Sequence, residues 1–449
     1  MRVSKLFLPE VTEAIEKGDL ESLRTVFEDL HPSDIAELLT ELTPERIAAI
    51  VRILRFPKGI EVFEQLDLQT QANVLTHLGR TETINILEEL SPDDRVDLLK
   101  KLPEQTVDSL LPFMAQAERD DVRKLLQYGE NTAGALMTTE YASLPARMTV
   151  ADALVRLRAI APNSETIYYL YVTDPSRKLL GIISLRELVL AKSSQIIEEI
   201  MSQAPITVSV EDDQEGVAKA FAKYDFLAIP VVDKESRLVG IITYDDALDV
   251  IVKEQTEDVQ RLGAVEPLNE PYFQTNFWKL TQKRGLWLLL LFVSEFFTGS
   301  ALRHYEKEWA NALTLVFFVP LILSAGGNSG SQSVSLIIRG LAVGDVKLRD
   351  FFKVVRRELI MGIMLGVFLG GIGMLRAASW DSPPNVCISV GIALAGVVTA
   401  GSLIGACLPL LLKRIGMDPA IMSAPFVATF VDVTGIVIYF NVAQFLLSR

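Results

Sequence analysis

Cysteine and histidine are nearly absent: two cysteines and three histidines in 449 residues. Cys387 and Cys407 form no CxxC pair and no metal-ligand spacing, so both are expected as buried free thiols. Without Cys/His clusters a high-affinity soft-metal site is disfavoured. No His-Glu metal motif, Ser/Lys dyad or paired intramembrane aspartate is evident, so the chain does not read as an enzyme. The N-terminal stretch MRVSKLFLPEVTEAIEKGDLE lacks an apolar region of signal-peptide length. The first half is therefore expected to stay in the cytosol.

What is present is sharply divided. The length allows about three domains. Mean hydropathy is +0.30, yet the formal net charge is -14. A split near residue 270 resolves that conflict: residues 1–270 carry a net -20 and residues 271–449 a net +6. The acidic half should attract cations and repel nucleic acid, so no nucleic-acid partner is expected.

Five apolar segments follow residue 280, roughly 285–302, 309–338, 356–377, 385–412 and 419–447. Each meets or nearly meets the length of about 20 residues that spans a bilayer. The second contains SAGGNSGSQS, read as a polar break of the kind tolerated where backbone is buried or lines a wet cavity. Lysine and arginine concentrate before the first segment (Lys279, Lys283, Arg284), between the second and third (Arg339, Lys347, Arg349, Lys353, Arg356, Arg357) and between the fourth and fifth (Lys413, Arg414). That bias places the N-terminus inside and the C-terminus outside.

The acidic half has two parts. Residues 1–130 read as short amphipathic helices. HPSDIAELLTEL, TPERIAAIVRIL and SPDDRVDLLKKL repeat one start signature, a turn residue, then proline, then acids. Such helices are expected to stack into a superhelical array. Residues 133–253 hold a duplication: LLGIISLREL at 179–188 recurs as LVGIITYDDA at 238–247. This β-turn-β-helix pattern resembles a tandem CBS pair. Such pairs usually sense a ligand, often an adenine nucleotide, so ATP is a possible cofactor there. Residues 246–270 form an acidic connecting helix and linker, with Asp246 and Asp249 on one face and Glu254, Glu257 and Asp258 on another. The plain reading is a solvated linker; the sharper one is a face neutralised by divalent cations.

One acid stands in the last apolar run, Asp432 in APFVATFVDVTGIVIYF. A charge at the centre of a membrane helix costs at least ~3 kcal/mol. No lysine or arginine lies deep in any span to pair with it, so an ion pathway is the expected use. On a helix it neighbours Thr429 and Gly435, which leave space beside it. Glu295, Asn328 and Gln332 are further candidates to line the pathway, while Gly326, Gly327 and Gly330 permit close helix approach. A lone carboxylate among hydroxyls and carbonyls suits a hard, hydrated cation such as Mg²⁺. A two-fold dimer would bring two copies of Asp432 to one axis.

Taken together, GGNSGSQS, DPAIMSAPFVATFVDVTG, the tandem CBS pattern and the acidic connecting helix closely resemble the MgtE family of magnesium channels. The resemblance implies a multidomain fold: a cytosolic α-helical superhelical domain (1–130), an α/β tandem CBS pair (131–245), a plug helix (246–270) and an all-α, five-helix transmembrane pore (271–449). It implies a homodimer in the inner membrane that takes up Mg²⁺ and closes when cytosolic Mg²⁺ is high. Asp432 and Ala428 match pore positions. Asp246, Asp249, Glu254, Glu257 and Asp258 match regulatory metal positions on the plug, Asp213, Glu215 and Asp225 in the second CBS repeat, and Asp93 and Asp97 in the helical domain. Ala424 departs from the pattern, where an asparagine can stand. The rival reading is a carrier that couples divalent-cation movement to Na⁺ or H⁺.

Overall fold

The computed structural model describes residues 3–17, 19–54, 57–268, 271–273, 275–306, 313–421 and 423–447. It divides into two compact units, Met1–Ile251 and Val252–Arg449.

The first unit opens with short helices, from Val3–Lys17 to Gln116–Leu125. The three proline signatures start helices Pro32–Leu39, Pro44–Ile53 and Pro92–Lys101. Proline suits these positions because the first-turn amide has no acceptor within the helix. Helices this short are marginal alone and depend on packing. Ile35, Leu39, Ile47, Ile50, Leu98 and Leu99 enter one core that also takes Val208, Ile229 and Ile242 from the α/β part. The helical array and the second α/β repeat thus share a core.

The duplication is repeated in strand pairing. In the first repeat β1 (Tyr141–Pro145) runs parallel to β2 (Thr166–Thr173), which pairs antiparallel with β3 (Leu179–Ser184); the short β4 (Ser202–Gln203), from the start of the second repeat, adds to β3. In the second, β5 (Val208–Ser209) runs parallel to β6 (Ala228–Val232), and β6 antiparallel to β7 (Leu238–Thr243). The glycines of the two GII strands have reciprocal partners. A Cβ at Gly181 would stand 2.7 Å from the Met201 sulfur, and one at Gly240 would stand 2.7 Å from the Met137 sulfur. Each repeat therefore lends a methionine segment to the other's strand, and only glycine leaves room. Helix Tyr244–Leu262 follows β7 directly, starting two residues before the expected linker.

Among its described residues the second unit contains five helices long and apolar enough to cross a membrane: Phe277–His304, Leu313–Ala342, Leu348–Ala378, Pro384–Arg414 and Ala424–Leu447. The fourth is central and packs on the second, third and fifth. The first packs on the fifth and is mostly exposed. One expectation is corrected here. The glycine-rich stretch is no break, because a continuous α-helix runs through it from Val319 to Ala342. Tight packing compensates for the low helix propensity of glycine. A Cβ at Gly326 would lie 2.5 Å from Val397 Cγ1 and 2.8 Å from Val431 Cγ1, so the glycines let the second span approach the fourth and fifth closely. Cys387 is buried and Cys407 half-buried, both as free thiols.

Candidate ion pathway and cation sites

The fifth span buries Val427, Val431, Gly435, Ile436 and Tyr439 against the bundle. Asp432 is one residue past Val431, so helical geometry sets it at the edge of that face, half-buried. The second span approaches it without side-chain bulk. A Cβ at Gly327 would lie 3.6 Å from Ala428 Cβ and 4.0 Å from Asp432 Oδ1. Ala428, Asp432 and Gly327 therefore line one seam. Among the described residues Asp432 has neither a cationic partner nor a hydrogen-bond donor. Glu295, exposed on the first span, is near enough to interact electrostatically with Asp432.

The other pathway candidates separate. Asn328 and Gln332 are exposed one turn apart on the second span, and Asn328 donates to Ser324 Oγ at 3.5 Å. Thr429 is half-buried and donates to the Pro425 carbonyl at 3.3 Å. Gly435 is turned inward against Leu323 and Val397 and does not join the Asp432 seam.

A further intramembrane acid escaped the sequence reading. Glu358, 5 % exposed on the third span, accepts a hydrogen bond from Ser333 of the second span at 2.7 Å. Its position directly after Arg356 and Arg357 disguised it as part of a charged loop.

In the first unit, Asp93 on helix Pro92–Lys101 is buried, and its Oδ1 has no hydrogen-bond partner. Burial, then the charges of Asp246 and Asp94, hold its carboxyl well above the usual carboxylate range. Asp246 accepts from the Thr243 hydroxyl at 2.6 Å, and burial pushes its carboxyl up to about 7, against that hydrogen bond. Desolvation, followed by the charges of Asp246 and Glu140, pushes Glu165 up to about 7 as well. Burial and Asp94 do the same to Glu64. Burial and then Asp245 raise Asp249. Neither Glu165 nor Glu64 carried any sequence signal, since only folding brings their loop and helix to Asp246 and Asp94. Clustered carboxyls in this state require a proton or a cation to neutralise them.

The remaining acids have local uses. Asp97 pairs with Lys100 at 2.9 Å. Asp213 caps helix Gln214–Tyr224 by accepting from the Glu215 amide at 3.0 Å, Glu215 pairs with Lys219 at 2.6 Å, and Asp225 ends the same helix in the left-handed region, φ 54°. At about 1.5 Å rise per residue that helix holds Asp225 too far from Asp213 and Glu215 for all three to share an ion. Glu254, Glu257 and Asp258 follow on helix Tyr244–Leu262, where Glu257 pairs with Arg261 at 3.4 Å. Arg261 also pairs with Asp418 in the loop before the fifth span. Leu262 joins the core of the spanning helices. Among the described residues no three His, Cys, Asp or Glu side chains form a closed metal cage.

Comparison with known proteins fits this arrangement. The model of a divalent cation transporter family, MgtE, matches residues 319–442, that of the MgtE intracellular N domain residues 30–131, and CBS models residues 133–194 and 197–253. The magnesium transporter MgtE of Thermus thermophilus is 41 % identical over 439 residues, covering 97 % of each chain. The chain belongs to the MgtE family of magnesium transporters. The Bacillus subtilis magnesium transporter MgtE is 30 % identical over 96 % of this chain and 95 % of its own. Among solved structures, the cytosolic domain of the Mg²⁺ channel MgtE in complex with ATP is 40 % identical. It matches with a TM-score of 0.52, covering 54 % of this chain and 99 % of that one. These full-length MgtE relatives are magnesium transporters rather than enzymes.

Proposed function

We propose that the protein is a homodimeric, Mg²⁺-selective channel of the inner membrane that admits magnesium and closes when cytosolic Mg²⁺ occupies its acidic soluble unit. The observation that carries this reading is Asp432, a carboxylate on a spanning helix beside Gly327 and Ala428 with no ion-pair partner among the described residues. A small-residue seam leaves room for an ion that keeps its water, and Mg²⁺ dehydrates reluctantly. Asp432 and Ala428 would touch the hydration shell, with Thr429, Asn328, Gln332 and Glu295 along the approach. Asp93 and Asp246 form the regulatory site best supported by geometry. Asp97, Asp213, Glu215, Asp225, Asp249, Glu254, Glu257 and Asp258 complete the acidic surface that cations would neutralise. The CBS pair would take an adenine nucleotide, as the 40 % identical cytosolic domain does with ATP. The N-terminus lies in the cytosol and the C-terminus outside.

Proteoliposomes containing a Mg²⁺-sensitive dye test the reading. With membrane potential clamped and no Na⁺ or H⁺ gradient, Mg²⁺ should still enter down its own gradient. Entry that stops when those gradients are removed would instead establish the coupled carrier.

The Arg261–Asp418 pair gives a second test. It ties the end of the connecting helix to the loop that starts the fifth span. Asp418→Asn should weaken the dependence of flux on internal Mg²⁺ while leaving flux at low internal Mg²⁺ intact. A half-exposed pair is worth about 1 kcal/mol, so a several-fold shift in the inhibitory concentration is expected. An unshifted curve would free this pair of any role in gating.

A further inference from the structure

The third span begins with a face left exposed among the described residues. Lys353, Arg356 and Arg357 head a groove of about 990 Å³, and Ile360, Met364 and Leu365 continue it down the same helix face. Steps of three and four residues put Lys353, Arg357, Ile360 and Met364 in one line, with Arg356 and Leu365 flanking it on either side. All six are exposed. Lys353 is shared with Asp350 at 3.0 Å. Arg356 and Arg357 have no carboxylate partner among the described residues, and Glu358, the nearest acid along the helix, is turned inward to Ser333. Two unneutralised guanidinium groups therefore stand at the point where a membrane-spanning helix passes from charged to wholly apolar surface.

That order of chemistry, cationic head and apolar body within about 18 Å of helix, is the complement of an amphiphile with an anionic head. Guanidinium groups bind phosphate through two parallel hydrogen bonds. A soluble phosphate would satisfy the arginines but leave the apolar groove bare, so the apolar half selects between the two sources. We propose that this groove binds an anionic diacyl phospholipid, with its phosphate on Arg356 and Arg357 and its acyl chains along Ile360, Met364 and Leu365. Because the third span packs directly on the fourth and Glu358 hydrogen-bonds to the second, a lipid held here braces the outer face of the bundle.

The test uses full-length protein in neutral detergent, with binding followed by native mass spectrometry and by thermal unfolding. Phosphatidylglycerol should bind and raise the unfolding temperature, and phosphatidylcholine should do neither. Arg356→Gln with Arg357→Gln should weaken phosphatidylglycerol binding on the order of tenfold to a hundredfold, since each basic group near an anionic lipid contributes several-fold. Arg356→Lys with Arg357→Lys keeps the charge and should keep most of the binding, which separates a lost site from a misfolded variant. Three outcomes would overturn the proposal. Equal binding of phosphatidylcholine would reduce the groove to ordinary lipid-facing surface. Competition by glycerol phosphate as strong as by the whole lipid would make it a soluble-anion site. Efficient cross-linking of Lys353→Cys between two protomers, with no lipid bound, would make it a subunit contact.

Discussion

Asp432→Asn is expected to abolish most Mg²⁺ flux while the protein still inserts and folds. Asparagine keeps the size of the side chain and removes its charge. No cation or hydrogen-bond donor among the described residues contacts Asp432, so nothing in the fold depends on its carboxylate. The loss falls on the ion instead. A hydrated divalent cation held about 5 Å from one carboxylate gains on the order of 6 kcal/mol at an effective dielectric of about 20. Partial compensation by the amide dipole still leaves a loss of at least tenfold to a hundredfold in occupancy. Mg²⁺ entry into dye-loaded proteoliposomes measures it, and Asp432→Glu should retain part of the flux. Wild-type entry in a well-folded Asp432→Asn protein would remove Asp432 from the ion pathway.

Without divalent cations, the first unit should lose stability as pH rises from about 5 to about 8, and Mg²⁺ should restore it. The sign follows from which state holds more protons. Asp93 and Asp246 are raised in the folded protein, Asp246 to about 7, whereas unfolded aspartate titrates near 4. Between those limits the folded state binds more protons, so stability is full below about pH 4 and falls as pH passes the folded values. A bound divalent cation replaces the missing protons and removes the repulsion. The thermal midpoint of full-length protein in EDTA should therefore drop by about 5 °C over that range, and Mg²⁺ should raise it more at the alkaline end. Asp93→Asn with Asp246→Asn should flatten the pH slope, leaving the part that Glu64 and Glu165 contribute, and should remove much of the Mg²⁺ response. The same double variant should need more internal Mg²⁺ to close. If the Mg²⁺-dependent rise survives the double substitution, the regulatory ions bind elsewhere on the acidic surface.

Much of this organisation was legible in sequence because it depends on neighbours along the chain. Proline after a turn residue starts a helix wherever it occurs, so Pro32, Pro44 and Pro92 marked their helices. Apolar runs of span length needed no partner to be recognised, and the strand pattern repeated itself in the two CBS halves. The glycine-rich stretch misled for the opposite reason. Read locally, glycine, asparagine and serine weaken a helix. Packed against Val397 and Val431, the same residues allow an approach that larger ones would forbid, and the helix continues.

Sequence by itself determined the acidic and apolar halves, the five spans, the CBS duplication, and the presence of one acid in the last span without a cation along the run. Each follows from charge, length or period, which are properties of the chain before it folds. Only the tertiary structure decided that Asp432 meets Gly327, that Glu358 is pinned by Ser333, that Arg261 reaches Asp418, and that the Asp93 Oδ1 is buried without a hydrogen-bond partner while its carboxyl feels the charge of Asp246. Those pairings join residues tens to hundreds of positions apart. Burial and the distance between charges, which set the chemistry of each site, exist only once the helices have packed.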